Sequence, residues 1–212
     1  LLQPEVRDTV LLALLVPTVI LFTRESLDNT IRDKQDVEHN TTLSLIGDIP
    51  LYVKQGNGII RKLSHKMSRG GLVVEEGKQD IVNEAFRMLR TNIEFMTPRR
   101  GENNVYVVTS LYEGSGKTFV AANLALTLAL TGKRVLFIDG DLRHASASHL
   151  FRTSTAGLAD YLGDKQNDLT KLVQQSDQQP SLDIMPVGTI PPNPTELLSG
   201  DRLEGLVEQV RT

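Results

Sequence analysis

Residues 105–118, Val105-Tyr106-Val107-Val108-Thr109-Ser110-Leu111-Tyr112-Glu113-Gly114-Ser115-Gly116-Lys117-Thr118, decide how this chain folds. The first five form a β-branched run, which predicts a strand. From Thr118 to Thr131 the chain is rich in alanine and leucine, with Gly132 closing the pattern, which predicts a helix. Val135 to Asp139 (VLFID) is a second buried-type run. Strand, glycine turn, helix and strand in that order predict a βαβ unit, hence an α/β fold with a parallel sheet and flanking helices. The turn ends as a P-loop does. Gly114 and Gly116 let backbone N–H groups converge on a phosphate, and the helix beginning there aims its positive end at the same point. On this reading Gly114, Ser115, Gly116, Lys117, Thr118 and Phe119 bind the nucleotide, Lys117 meets the β- and γ-phosphates, and the Thr118 hydroxyl ligates Mg2+. Leu111 stands where the first glycine of G-x-x-x-x-G-K-[ST] belongs.

A second motif, Asp139-Gly140-Asp141-Leu142-Arg143, lies at the end of VLFID. Alternate residues of an extended segment point to one side. Asp139 and Asp141 are therefore expected to face one Mg2+ at the carboxyl edge of the sheet, where open α/β folds bind ligands. Such carboxylates ligate the metal through water or accept a hydroxyl proton. Leu182 to Pro186 predicts a further strand and Glu196 to Val210 a last helix. Upstream, Ile81, Ala85, Met88, Leu89, Asn92, Ile93 and Met96 follow three-and-four spacing, with Glu84, Arg87, Arg90 and Glu94 on another face, which predicts a helix ending before Pro98.

The chain has 212 residues, 40% hydrophobic and 23% charged, with net charge -3 and no cysteine. Disordered, collagen-like and disulfide-scaffold classes are excluded, as are thiolate nucleophiles and Cys-ligated metals. Mild acidity gives no electrostatic basis for nucleic-acid binding. His39, His65, His144 and His149 form no ligand set, because no carboxylate cluster completes one. Val10 to Phe22 is an uncharged apolar run containing Pro17. A helix there is ~20 Å long against a ~30 Å bilayer core, yet its lack of a polar stripe favours a membrane segment over a core helix. Lys54, Arg61, Lys62, Lys66 and Arg69 follow the run, so the part after it is expected to be cytoplasmic. Between them lie a short helix expected near Asp33 to Asn40, a strand over Leu43 to Ile49, and a basic glycine-containing linker. Leu1 in place of Met suggests a piece of a longer chain.

Together EGSGKT and VLFIDGDLR resemble the bacterial tyrosine kinases fused to polysaccharide co-polymerases, relatives of the partition ATPases. SLDNTIRDKQDVE after the apolar run, Glu84-x-x-Arg87-x-x-Arg90, and PPNPTELL at Pro191 to Leu198 extend the likeness. The resemblance implies a membrane-anchored tyrosine autokinase using ATP and Mg2+, with Lys117, Asp139 and Asp141 as catalytic residues and Asp139 as the base. Thr118, Asp139 and Asp141 would form the metal site. It implies control of exopolysaccharide or capsule export and chain length, at the bacterial inner membrane with the kinase domain facing the cytoplasm. The implied partners are a ring of copies joined through Glu84, Arg87 and Arg90, the membrane, the polysaccharide export machinery and a protein-tyrosine phosphatase. The corresponding domains are a transmembrane helix over 1–24, a juxtamembrane linker over 25–77 and a P-loop kinase domain over 78–212. Two departures stand out. No apolar strand ending in Asp supplies the family's third nucleotide motif, and Tyr52, Tyr106, Tyr112 and Tyr161 form no C-terminal cluster. The kinase domain is therefore expected to be truncated, lacking its C-terminal part, and inactive alone. A partition or septum-positioning ATPase is the rival, though its group's lysine is replaced by Tyr112. A non-catalytic chain-length regulator is opposed by the complete set Lys117, Thr118, Asp139 and Asp141.

Overall fold

A computed structural model describes residues 4–27, 34–50, 71–97, 104–151 and 156–211. Tyr52, His65 and the basic residues from Lys54 to Arg69 lie outside them. The chain divides into two compact units, Leu1–Leu45 and Ile46–Thr212.

The first unit holds α1 (Pro4–Ser26) and α2 (Lys34–Asn40). In α1 the hydroxyls of Thr18 and Thr23 donate to the carbonyls of Leu14 (2.7 Å) and Val19 (2.9 Å), so neither leaves an open polar group. Leu14, Ile20, Leu21 and Phe22 are exposed. Among the described residues no helix is long and apolar enough to cross a membrane. The uncharged run falls short of the ~20 residues a span usually needs. α2 carries an exposed Lys34–Glu38 pair at 3.6 Å.

The second unit is built on three strands, β1 (Val135–Ile138), β2 (Gln174–Gln175) and β3 (Leu182–Met185), in the order β1-β3-β2. β1 and β3 are parallel, Val135 opposite Leu182 and Ile138 opposite Met185, whereas β2 runs antiparallel to β3. The sheet is mixed and not parallel throughout, because the short turn between β2 and β3 can join only antiparallel strands. Helices α3 (Ile81–Met96), α4 (Lys117–Ala129), α5 (Ser146–Phe151), α6 (Leu158–Leu162), α7 (Leu169–Leu172), α8 (Pro194–Leu198) and α9 (Asp201–Arg211) complete it. Strand alternation sorts the core into two layers. Val135, Phe137, Leu182 and Ile184 pack with Phe86 and Leu89 of α3 and Leu124 and Leu128 of α4. Leu136, Ile138 and Met185 pack with Leu158, Leu172 and Leu206. α4 is buried along Ala122 to Ala129, which explains its lack of a polar stripe.

Three predicted elements differ. Val105 to Thr109 forms no strand, and Val107 is 86% exposed. An interior strand needs a neighbour to pair with, and among the described residues β1 is paired only on its β3 side. Leu43 to Ile49 is likewise unpaired, and at Ile46 the carbonyl takes the Asn92 side-chain amide instead (2.6 Å). The last helix is two, broken at Ser199 and Gly200, where the Ser199 hydroxyl turns back to the Thr195 carbonyl (2.8 Å) and glycine disfavours continuation.

The approach to the P-loop helix is fixed by two buried amides. Asn123 of α4, fully buried, accepts from the N–H groups of Val73 (2.8 Å) and Val74 (3.2 Å) and donates to the carbonyls of Phe119 (2.8 Å) and Gly71 (3.3 Å). Asn83 of α3 accepts from Glu75 N–H (3.0 Å). Residues 71–75 thus have side-chain amides where a strand would have a ladder, as buried backbone groups require partners. On the far layer, the loop after β3 presses against α6. A Cβ at Gly157 would lie 2.0 Å from the Pro186 carbonyl oxygen, and one at Gly188 (φ +78) 2.1 Å from Asp160 Oδ2. Asp160 accepts there from Gly157 N–H (3.0 Å) and Thr189 N–H (3.1 Å).

Candidate functional site

The loop before α4 is shaped by its own hydroxyls. Ser110 and Ser115 both donate to the Tyr112 carbonyl, at 2.9 and 2.7 Å. Gly114 (φ +78) and Gly116 (φ +90) take the left-handed turns that side chains resist, and space is open around both. Gly116 caps α4 without any side-chain hydrogen bond. The first-turn N–H groups of a helix have no internal partner, so Lys117, Thr118 and Phe119 present theirs to an anion. The Phe119 ring does something else: it packs on Phe86 at 5.8 Å between centroids and locks α4 to α3.

Lys117 Nζ lies 3.1 Å from Asp141 Oδ2, with both side chains partly buried. His144 stands on the opposite side of the same carboxylate, its Nδ1 3.4 Å from Asp141 Oδ1. Burial pushes the Asp141 carboxyl up, but the hydrogen bond and charge of Lys117, backed by His144, outweigh it and hold the group below its ordinary value. Asp139 is 4% exposed. Its Oδ2 accepts from the N–H groups of Ala147 and Ser148 and from the Ser148 hydroxyl, each at 3.1 Å, and its Oδ1 from Asp141 N–H at 3.2 Å. Burial is the largest influence and raises its carboxyl above the ordinary value despite these donors. The two carboxylates therefore have different partners. Asp139 is turned to the start of α5, and Asp141, beyond the end of β1, faces the P-loop lysine.

Among the described residues no group of three or more His, Asp or Glu could hold a metal by itself. A Mg2+ here would rely on Thr118 and these two aspartates together with nucleotide oxygens. The residues fit that role: Asp139 Oδ1 has one donor and a lone pair to spare, and the cradle around Gly114 and Gly116 is open.

The three residues of the other motif separate. Arg87 pairs with Glu84 and donates to the Lys78 carbonyl (2.8 Å), tying α3 to the turn before it. Arg90 Nε is buried without a partner among the described residues, beside a cleft of about 160 Å3 that Arg87 and Thr127 also line. Sequence reasoning missed Ser148, whose hydroxyl also accepts from Val187 N–H (3.2 Å) and so links Asp139 to the loop after β3. It also missed His144 at Asp141, although its three-residue offset from Asp141 was visible.

A glycine-bounded anion cradle at a helix start, with a lysine paired to an aspartate at the carboxyl end of the neighbouring strand, defines a P-loop nucleotide-binding domain. Residues 106–212 match the family model described as the CobQ/CobB/MinD/ParA nucleotide binding domain. The AmsA protein of Erwinia amylovora is 43% identical over 129 residues, 60% of this chain and 17% of that one. The tyrosine-protein kinase Etk of Escherichia coli is 37% identical over 145 residues, 68% of this chain and 20% of Etk. The solved BceF tyrosine kinase domain superposes with a TM-score of 0.68 at 33% identity, covering 85% of this chain and 72% of that domain. The chain belongs to the CobQ/CobB/MinD/ParA nucleotide-binding family and, within it, to the bacterial tyrosine-kinase domains. It spans about a fifth of the length of these two curated relatives.

Proposed function

We propose that this chain is the nucleotide-binding part of a protein-tyrosine autokinase, transferring the γ-phosphoryl group of ATP to tyrosine in the control of bacterial exopolysaccharide or capsule export and chain length. The observation that carries this reading is the Lys117–Asp141 ion pair, 3.1 Å long at the start of α4. With nucleotide bound, Lys117 exchanges that carboxylate for the phosphates, and the first-turn N–H groups of α4 hold the remaining oxygens. Mg2+, held by Thr118 and Asp141 with Asp139 contributing through water, would supply neutralisation of phosphate charge. Asp141, freed from Lys117 and favoured as the anion, suits the metal. Asp139, made more basic by burial, suits receipt of the tyrosine proton through Oδ1.

The reading extends to the rest of the chain. α1 serves as the anchor at the bacterial inner membrane, a reading its exposed apolar side chains support, and the basic residues after it support a kinase facing the cytoplasm. Glu84, Arg87 and Arg90 join copies into a ring, a reading supported by the Arg90 Nε, which has no partner among the described residues. The export machinery and a tyrosine phosphatase are the expected protein partners. Lys117→Met in the complete protein tests the core of this reading: nucleotide binding and ATP-dependent phosphotyrosine should both vanish, and retention of either refutes it.

A further inference from the structure

Of the tyrosines in the described residues, Tyr106 holds Thr97 Oγ1 at 3.0 Å, and the Tyr161 ring lies under the Arg202 guanidinium at 4.8 Å. Tyr112 differs. It is 73% exposed, its hydroxyl makes no hydrogen bond among the described residues, and it sits inside the phosphate-binding loop two positions before Gly114. Its backbone is not loose, because two serine hydroxyls fix its carbonyl. A phenol is thus held outward at the mouth of a site that handles phosphoryl groups.

We propose that Tyr112 is a phosphorylation site whose modification closes the nucleotide cradle of its own chain. The inference rests on the kinase reading for the donor alone. In the reaction the Tyr112 phenolic oxygen bonds to the γ-phosphorus of Mg-ATP, the bond from that phosphorus to the ADP oxygen breaks, ADP leaves, and the phenolic proton passes to a carboxylate base. The donor nucleotide belongs to a second copy. A P-loop wraps its own phosphates from the leaving-group side, whereas in-line transfer needs the acceptor on the opposite side. The product carries ~-2 charge at neutral pH. That charge stands in the loop that must receive the phosphates of the next nucleotide, so it repels them while Lys117 and the start of α4 attract them. The expected loss of nucleotide affinity is about tenfold.

The test treats the wild-type chain and Tyr112→Phe with Mg-ATP, once alone and once with a trace of a broad-specificity protein-tyrosine kinase. Phosphotyrosine is mapped by peptide mass spectrometry, and a fluorescent ADP analogue is titrated to millimolar concentration before and after. The expected result is modification of Tyr112 ahead of Tyr52, Tyr106 and Tyr161, with affinity reduced about tenfold in wild type and unresponsive to treatment in Tyr112→Phe. Modification with only the added kinase leaves this site standing, with the donor outside this chain. Phosphotyrosine elsewhere with Tyr112 unmodified, no modification in either arm, modification without change in affinity, or no nucleotide binding before treatment each overturns the proposal.

Discussion

Replacing Asn123 by alanine removes the amide that holds residues 71–74 to the P-loop helix. The buried Val73 and Val74 N–H groups, bonded to it at 2.8 and 3.2 Å, are left without that acceptor. Each buried unsatisfied donor costs ~1–3 kcal/mol, so the pair costs ~2–6 kcal/mol before any cavity is counted. Domains of this kind are stable by ~5–15 kcal/mol, so about a third of the total is at stake. With a urea slope of ~2 kcal/mol/M, the midpoint should fall by ~1–3 M at unchanged slope. Circular dichroism in a urea series measures it, and hydrogen exchange should show the Val73 and Val74 amides losing protection selectively. Asn92→Ala is the control, because that exposed amide serves a single carbonyl and its removal should cost under ~1 kcal/mol. If Asn123→Ala matches the control, the two N–H groups have other partners and the clamp is not what holds the segment.

Asp139→Asn and Asp141→Asn should separate in Mg2+ titrations of nucleotide binding and phosphoryl transfer, the second raising the Mg2+ requirement and the first mainly lowering turnover; identical titrations refute the division. Stability against pH should also distinguish them. Asp141, held below its ordinary value of 3.8 in the fold, contributes stability that is complete above that value and lost as pH falls through the folded value, so Asp141→Asn should flatten the acid limb of a urea-midpoint series. Asp139 has the opposite sign: from 3.8 up to its raised folded value the native chain keeps a proton the unfolded chain has released, so stability falls as pH rises through that window and Asp139→Asn should remove this slope. Replacing Glu84, Arg87 and Arg90 by alanine should abolish any ring seen by light scattering while far-UV circular dichroism is kept; an unchanged particle mass refutes the contact.

Much of the site could be read from the sequence because its determinants are local. Gly114 to Thr118 announces a cradle within five residues, and α3 shows its apolar stripe within one segment. What escaped depends on distant neighbours. Val105 to Thr109 has every local feature of a strand, yet pairing is a property of two segments, and no described strand lies beside it. The role of Asn123 lies in backbone 50 residues away, and an asparagine in an alanine-rich helix gives no local sign of that. Asp139 and Asp141 were expected on one face because alternation holds only within a strand. β1 ends at Ile138, so Asp141 escapes the rule and turns to Lys117.

The contact between Gly157 and Gly188 has a consequence for anyone mapping this protein by saturation mutagenesis. Gly188 is barred to other residues by its backbone and its surroundings together, whereas Gly157 has an extended backbone that any residue adopts and is barred by its surroundings only, the Pro186 carbonyl and Gly188 N. In a growth selection both positions should be depleted as thoroughly as Lys117, though neither offers a single reactive atom. A map ranked by intolerance would then display two hot regions on the carboxyl side of the sheet, and one of them would mark only where a loop and a helix share too little room for a methyl group.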